Sequence, residues 1–465
     1  MSTREAAGPA REISSRRDLV GWIAEGEKPR SAWKIGTEHE KFVFKTGTLE
    51  PVPYEGPSGI RALMEAMIAR FGWEPIMEGT NLIALRRPKM EVAPGAIGGS
   101  ISLEPGGQFE LSGAPLANLH ETAAETEQHL REVLAVGETL GLGFLGVGFS
   151  PLWPLAQVPR MPKQRYGVMT RYMPQVGSRG LDMMYRTATI QVNLDFASEA
   201  DMVKKLRVSL ALQPIATALF ASSPFTGGKP NGFKSMRSEV WRDTDKNRTG
   251  MIPFVFEPGM GYERYVDYAL DVPMYFVYRD GRYIDVAGAS FRTFMDGKLP
   301  QLPGARATID DWSDHLTTLF PEVRLKKFLE MRGADSGNGP RITALSAFWT
   351  GLLYDATALE AAFDLIKDWT ATEREDLRNA VPRQGLAAPF RQRTTHAIAR
   401  EVLALAAAGL RARGIRDSYG RDEAIYLAPL DHGVATGTTL ADELLAHYHG
   451  RWGGKVDPVF KEYAY

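Results

Sequence analysis

Two glutamates, Glu38 and Glu40, stand two residues apart in the run Lys34-Ile-Gly-Thr-Glu-His-Glu-Lys-Phe-Val-Phe44. Side chains alternate between the faces of a strand, so in a strand both carboxylates share one face and His39 takes the other. The β-branched and aromatic residues Ile35, Phe42, Val43 and Phe44 favour that conformation. Like charges this close repel unless a cation lies between them. Oxygen ligands on a rigid element suit Mg2+, which is often held together with substrate phosphates. Taken alone, such a pair also suits a solvated edge strand; what shifts the reading is a supply of further carboxylates in similar settings.

In Ser100-Ile-Ser-Leu-Glu-Pro-Gly-Gly-Gln-Phe-Glu-Leu-Ser112, two strand-like pieces flank Pro105-Gly106-Gly107, which must turn or bulge. Glu104 and Glu110 arrive from either side of that bend. Farther on, in Pro321 to Arg332, Glu322, Arg324 and Lys326 alternate with Val323 and Leu325, and Phe328, Glu330 and Arg332 alternate with Leu329 and Met331. One carboxylate among several cations suits a metal–phosphate site, the carboxylate taking metal and the arginines phosphate oxygens. A cross-strand ladder of ion pairs has the same pattern. Met183 to Phe196 reads as a strand whose polar face, Thr187, Thr189, Gln191, Asn193 and Asp195, suits a small polar substrate or a solvated sheet surface. Ser223 to Gly250 reads as a long connection carrying Lys229, Arg237, Arg242, Lys246 and Arg248, and connections of that length are often functional.

Five glutamates with basic clusters at 229–248 and 324–332 can hold two or three Mg2+ and a triphosphate. Glycoside-type hydrolysis by paired carboxylates has no use for phosphate-binding arginines. A zinc hydrolase wants histidines, and the chain has eight with no HExxH pattern. Neither GxSxG nor a GxxxxGK[ST] phosphate loop occurs. Gly141-Leu-Gly143-Phe-Leu-Gly146 matches the dinucleotide fingerprint formally, but it follows a helix and enters a strand, the reverse of the required context. ATP-dependent chemistry without a phosphate loop remains.

The elements that must position these groups are an α+β set. Ser14-Ser15 precedes a helix carrying Leu19, Val20, Trp22 and Ile23; the spacing predicts further helices over 60–71, 116–140, 198–222 and 262–270, and strands over 74–77 and 81–86. Arg279-Asp280-Gly281 predicts a hairpin turn, and helical periodicity fills 342–449. Residues 1–12 read as disordered, 13–340 as a catalytic core and 341–465 as a helical region packed on it, one composite domain in all. The 465 residues are 44% apolar and 24% charged with a net charge of −1, ordinary for a globular protein and no sign of a nucleic-acid binder. There is no cysteine, which excludes disulfides and thiol chemistry and fits a reducing cytoplasm. No secretory signal and no membrane-spanning run of ~18 apolar residues is visible.

Long segments make the sequence recognisable: GTEHEKFVF, ISLEPGGQFELSGAP, RYMPQVG, QVNLDF, SPFTGGKPNGFKSMRS, DTDKNRTGM, YVDYALDVPMYF and HLTTLFPEVRLKKFLEMRGAD, among others spread over roughly residues 30–460. The chain closely resembles the plant and α-proteobacterial type of glutamate–cysteine ligase, within the glutamine-synthetase-like carboxylate–amine ligases. The resemblance implies a cupped, mainly antiparallel sheet carrying the active site, surrounded by helices. It also implies a reaction, the first step of glutathione synthesis: L-glutamate, L-cysteine and ATP give γ-glutamylcysteine, ADP and phosphate through a γ-glutamyl phosphate. Mg2+ and arginines offset the repulsion between the anions that must meet. By motif match, Glu38, Glu40, Glu104, Glu110 and Glu330 correspond to the Mg2+ ligands, and Arg332 to a group reaching the transferred phosphate. Arg237 corresponds to the anchor of the glutamate α-carboxylate, and Tyr275 to a substrate-pocket aromatic. Gln191 and Asn193 line the amino-acid pocket in this reading, and Arg248 and Lys246 face ATP phosphates. Transfer to another small amine is the alternative. A monomer or homodimer fits. Ala188 and other residues stand where plant members can have cysteine, so a thiol switch is not available.

Overall fold

The computed structural model describes residues 11–87 and 98–465. Its centre is a nine-stranded sheet in which every ladder is antiparallel. The strands are β1 (Ile35–Lys45), β2 (Glu74–Glu78), β3 (Asn81–Arg86), β4 (Ser100–Leu103), β5 (Phe109–Ser112), β6 (Leu142–Leu145), β7 (Thr189–Leu194), β8 (Val323–Leu325) and β9 (Leu329–Asp335). Their spatial order is β8-β9-β7-β1-β5-β4-β3-β2, and β6 pairs with the far end of β1.

β1 is buried over its first ten residues, and alternation gives its two faces different tasks. Beyond Glu38 and Glu40, the same face carries Phe42 and Phe44, which pack edge-on against Trp153 and Phe460. Each such burial contributes roughly 2–3 kcal/mol. On the opposite face, His39 lies 5.4 Å ring to ring from His129 of the helix Leu119–Leu140. Thr37 meets the hydroxyl of Ser346 at 2.7 Å, from the helix Gly339–Leu353. These two helices cover one side of the sheet, so the carboxylates keep the other. The largest apolar cluster lies around the helix Glu199–Phe220, which is apolar nearly all round and packs against β9, and extends into helices of the C-terminal region. The end of the chain returns to the core, where the Tyr465 hydroxyl donates to Gly337 O at 2.5 Å.

The bend at Pro105-Gly106-Gly107 joins β4 to β5, with Gly107 at φ 82°, a conformation that favours glycine. Four expectations need correction. Residues 183–186 are not strand: Gly180–Arg186 is a helix, held by the Asp182–Arg186 pair at 3.0 Å and ended where the Thr187 hydroxyl donates to Met183 O. The helix predicted from residue 116 begins at Leu119, because the Asn118 side chain accepts the Glu121 N–H and caps it there. The 223–250 connection is not structureless; Ser235 caps a short helix, Met236–Trp241, within it. Disorder expected for 1–12 fails at residues 11 and 12, which meet residues 307–309 through the Glu12–Thr308 bridge and the Ile309 N–H to Arg11 O bond; residues 1–10 lie outside those described.

Candidate active site

One cavity opens on the carboxylate face of the sheet, and its walls separate by charge. Strand alternation delivers Glu38 and Glu40 from β1, and register places Glu110 of β5 directly opposite Glu40. Glu104 follows β4 at the bend and receives the Tyr166 hydroxyl at 3.4 Å. Glu38 accepts the Asn193 amide at 2.9 Å, Glu40 the Thr189 N–H at 3.1 Å and Glu110 the Ser102 hydroxyl at 2.8 Å. Burial, then the charges of Glu104 and Glu110, push the Glu40 carboxyl well above the usual carboxylate range. Glu110 is pushed up to about 8 by burial and by Glu104 and Glu38.

The cationic wall comes from the β8–β9 hairpin and two helices. Arg324 stands directly opposite Glu330 and grips it through two bonds of 2.8 Å. Lys326 (3.3 Å) and Arg332 (2.7 Å) reach the same carboxylate. Burial raises the Glu330 carboxyl, but the three cations overcome it and hold the group well below its ordinary value. Arg332 also donates to the Gln191 side chain at 2.5 Å. Arg237, on the helix Met236–Trp241, donates to Arg332 O at 2.8 Å, and its buried Nε has no partner. Arg165, at the start of the helix Gln164–Val176, reaches the Thr317 hydroxyl at 3.4 Å and likewise keeps a buried, unpartnered Nε.

Of the residues named from the sequence, Glu38, Glu40, Glu104, Glu110, Thr187, Thr189, Gln191, Arg237, Arg324 and Arg332 line this cavity. Asn193 stands behind it, holding Glu38. Glu330 does not open onto it: its oxygens are bound by three side-chain cations, which makes it their counter-ion rather than a free ligand. Tyr275 is 1% exposed and sits in an apolar cluster, with the Arg248 guanidinium 3.8 Å over its ring and Tyr172 against its edge, so it meets no cavity. Arg248 is fully buried, is absent from the cavity lining, and turns its guanidinium to Asp245 (2.6 Å), Thr318 O (3.0 Å) and Pro273 O (2.6 Å). Lys246 is exposed and away from the cavity lining. Sequence reasoning missed Arg165 and Trp241, which do line it. An arginine in the first turn of a helix reads as solvated, and Arg165 lies outside the recognised segment RYMPQVG, which begins at Arg171, so nothing named from the sequence pointed to it.

The donor chemistry of the carboxylate wall fits a hard cation: every group is an oxygen, the acids repel one another, and among the described residues Glu40 and Glu110 have no side-chain cation bonded to them. Among the described residues, however, no three acidic or imidazole side chains are drawn together closely enough to hold a metal ion as they stand.

An antiparallel sheet with acids facing arginines across one cavity defines a class of enzyme that brings anionic substrates together. The chain belongs to glutamate–cysteine ligase family 2, whose model matches residues 34–462. It is 56% identical to the chloroplastic glutamate–cysteine ligase of Nicotiana tabacum over 461 residues, 99% of this chain and 85% of that one. Identity is also 56% to the Arabidopsis thaliana chloroplastic enzyme, with the same coverage, and 54% to enzyme B of Oryza sativa subsp. japonica, covering 99% of this chain and 89% of that one. A glutamate–cysteine ligase of Francisella tularensis, solved in complex with AMP, shares the fold at a TM-score of 0.53 and 12% identity, covering 92% of this chain and 88% of that one. The α+β class expected from the sequence, with a mainly antiparallel sheet among helices, holds, and the protein is an enzyme, a ligase of that family. The expectation of a cytoplasmic setting is overturned by these curated relatives, which are chloroplastic. Among the described residues no helix is long and apolar enough to cross a membrane.

Proposed function

We propose that this cavity joins the γ-carboxylate of L-glutamate to the amine of L-cysteine at the expense of ATP. The observation that carries the reading is the meeting of four carboxylates and four arginines, Arg165, Arg237, Arg324 and Arg332, in one cavity. A carboxylate is a poor electrophile. Its γ-oxygen attacks the terminal phosphorus of ATP, the bond to ADP breaks, and γ-glutamyl phosphate forms. The cysteine amine then attacks the acyl carbon, phosphate leaves, and the amine gives up a proton.

Arg237 takes the glutamate α-carboxylate, for which its unpartnered Nε and fork geometry suit it. Arg332, steered by Glu330 and Gln191, faces the transferred phosphate, and Arg165, from the helix Gln164–Val176, supplies a second guanidinium. Such groups, fixed before the reaction, stabilise charge as it spreads over the phosphoryl oxygens. Glu38, Glu40, Glu104 and Glu110 would hold Mg2+, and Glu330 would not unless its arginines let go. Mg2+, when bound, neutralises part of the triphosphate charge.

The test is ADP release with glutamate, ATP and a panel of small amines, with product identified by mass. Cysteine-dependent turnover yielding γ-glutamylcysteine supports the reading. Equal rates with other amines favour the broader γ-glutamyl ligase, and turnover without ATP rejects both.

A further inference from the structure

Asp335, at the end of β9, is fully buried and takes no part in the roles given so far. Its Oδ2 accepts the Ser222 N–H (2.9 Å) and the Ser223 hydroxyl (2.7 Å); its Oδ1 accepts the Ser235 hydroxyl (2.6 Å). The Ser223 and Ser235 hydroxyls have thereby committed their single protons, and only lone pairs remain for other partners. Those lone pairs receive the first turn of the helix that carries Arg237. Ser223 Oγ accepts the Arg237 N–H at 3.3 Å, and Ser235 Oγ, the N-cap, accepts the Ser238 N–H at 3.1 Å. At the other end of the side chain, the guanidinium donates to Arg332 O, three residues before Asp335 on the same strand. Arg237 is thus tied to β9 through both its backbone and its head group.

We propose that Asp335 is a positioning residue for Arg237, orienting two serine hydroxyls so that they anchor residues 237 and 238 and aim the guanidinium at the substrate carboxylate. The inference rests on the reading above that Arg237 binds the carboxylate of glutamate. The carboxylate is needed because it only accepts. An asparagine of the same shape presents an NH2 that only donates, so the hydroxyl facing it must turn its proton away and spend a lone pair on the amide, in competition with the N–H it had been accepting. The anchor then fails at one serine while the packing stays.

The experiment is steady-state ADP release by full-length Asp335→Asn, with glutamate, cysteine and ATP varied in turn. The KM for glutamate is expected to rise about tenfold while kcat and the KM for ATP stay within about threefold, since ground-state placement of one substrate is what is lost. A glutamate KM raised less than about threefold overturns the proposal, as does an equal rise in the KM for ATP, which marks general loosening. Ser223→Ala and Ser235→Ala each remove one hydroxyl and leave the carboxylate in place. Should Asp335→Asn not fold, a raised glutamate KM in either supports the proposal and an unchanged one in both overturns it. Wild-type protein that releases no ADP on addition of glutamate rejects the ligase reading and this inference together, whereas an active wild type with an unaltered variant rejects this inference alone.

Discussion

Glu40 and Glu110 are direct cross-strand partners on β1 and β5, and both carboxylates are buried. Like charges placed opposite one another oppose strand pairing. Among the described residues one N–H and one hydroxyl hold them, and the repulsion left over shows in their raised carboxyls, which a bound cation would reverse. The sheet around them is anchored by apolar packing on both sides of the pair, and that packing keeps the acids together.

Glu110→Gln removes one charge and keeps an acceptor for the Ser102 hydroxyl. In protein stripped of divalent ions it should unfold at a temperature a few degrees higher, equivalent to about 1 kcal/mol or more. Turnover should fall at least ~100-fold, more than 2.7 kcal/mol in barrier. A melting curve in chelator and an ADP-release assay check both; a lower melting temperature would show that the acids do not strain the sheet.

Glu330→Gln leaves Arg324, Lys326 and Arg332 without the carboxylate they all bind, and only the more distant charge of Glu38 acts on them among the described residues. Breaking a buried ion pair from one side costs about 3–5 kcal/mol. Both stability in urea and turnover should drop, the latter by at least about tenfold. A stable, active variant would remove Glu330 from its place as the hairpin's counter-ion.

Arg248 and Lys246 separate by burial. Arg248→Ala loses a fully buried ion pair with Asp245 and a stacked ring, so unfolding free energy should fall by about 3 kcal/mol or more. Lys246→Ala should leave the KM for ATP within about twofold, since an exposed lysine away from the cavity holds no phosphate. A large rise in that KM would return Lys246 to the nucleotide site.

Glu125, on the covered side of the sheet, is pushed up to about 7 by burial, although the Ala114 N–H bond at 2.8 Å and the charge of Arg87 pull it down. Below its ordinary value of 4.5 the group is protonated whether the chain is folded or not. As pH rises toward 7 the unfolded chain releases a proton that the folded one keeps, so this contribution to stability is lost, on the order of 3 kcal/mol. Glu125→Gln should flatten that part of the profile. Urea titrations between about pH 5 and 8 on both proteins give the comparison; identical slopes would place the group elsewhere in pH.

The alternation in residues 35–44 alone put Glu38 and Glu40 on one face and His39 on the other, because a strand's backbone dictates where successive side chains point. Pro105-Gly106-Gly107 likewise located the bend that returns Glu110 toward Glu104, since neither proline nor two glycines sustains a strand. Residue types and local geometry sufficed for both. Arg237 and Arg248, by contrast, looked alike as basic residues of one long connection, yet one faces the cavity and the other is enclosed by Asp245, Thr318 and Pro273. Glu330 looked like another acid on a strand, and the β8–β9 register set it against Arg324. Which groups oppose each other across a sheet depends on pairings between segments far apart in the chain, and each pairing is chosen by the packing of the whole core. Side-chain direction therefore belonged to the sequence, and the partner each side chain met belonged to the tertiary structure.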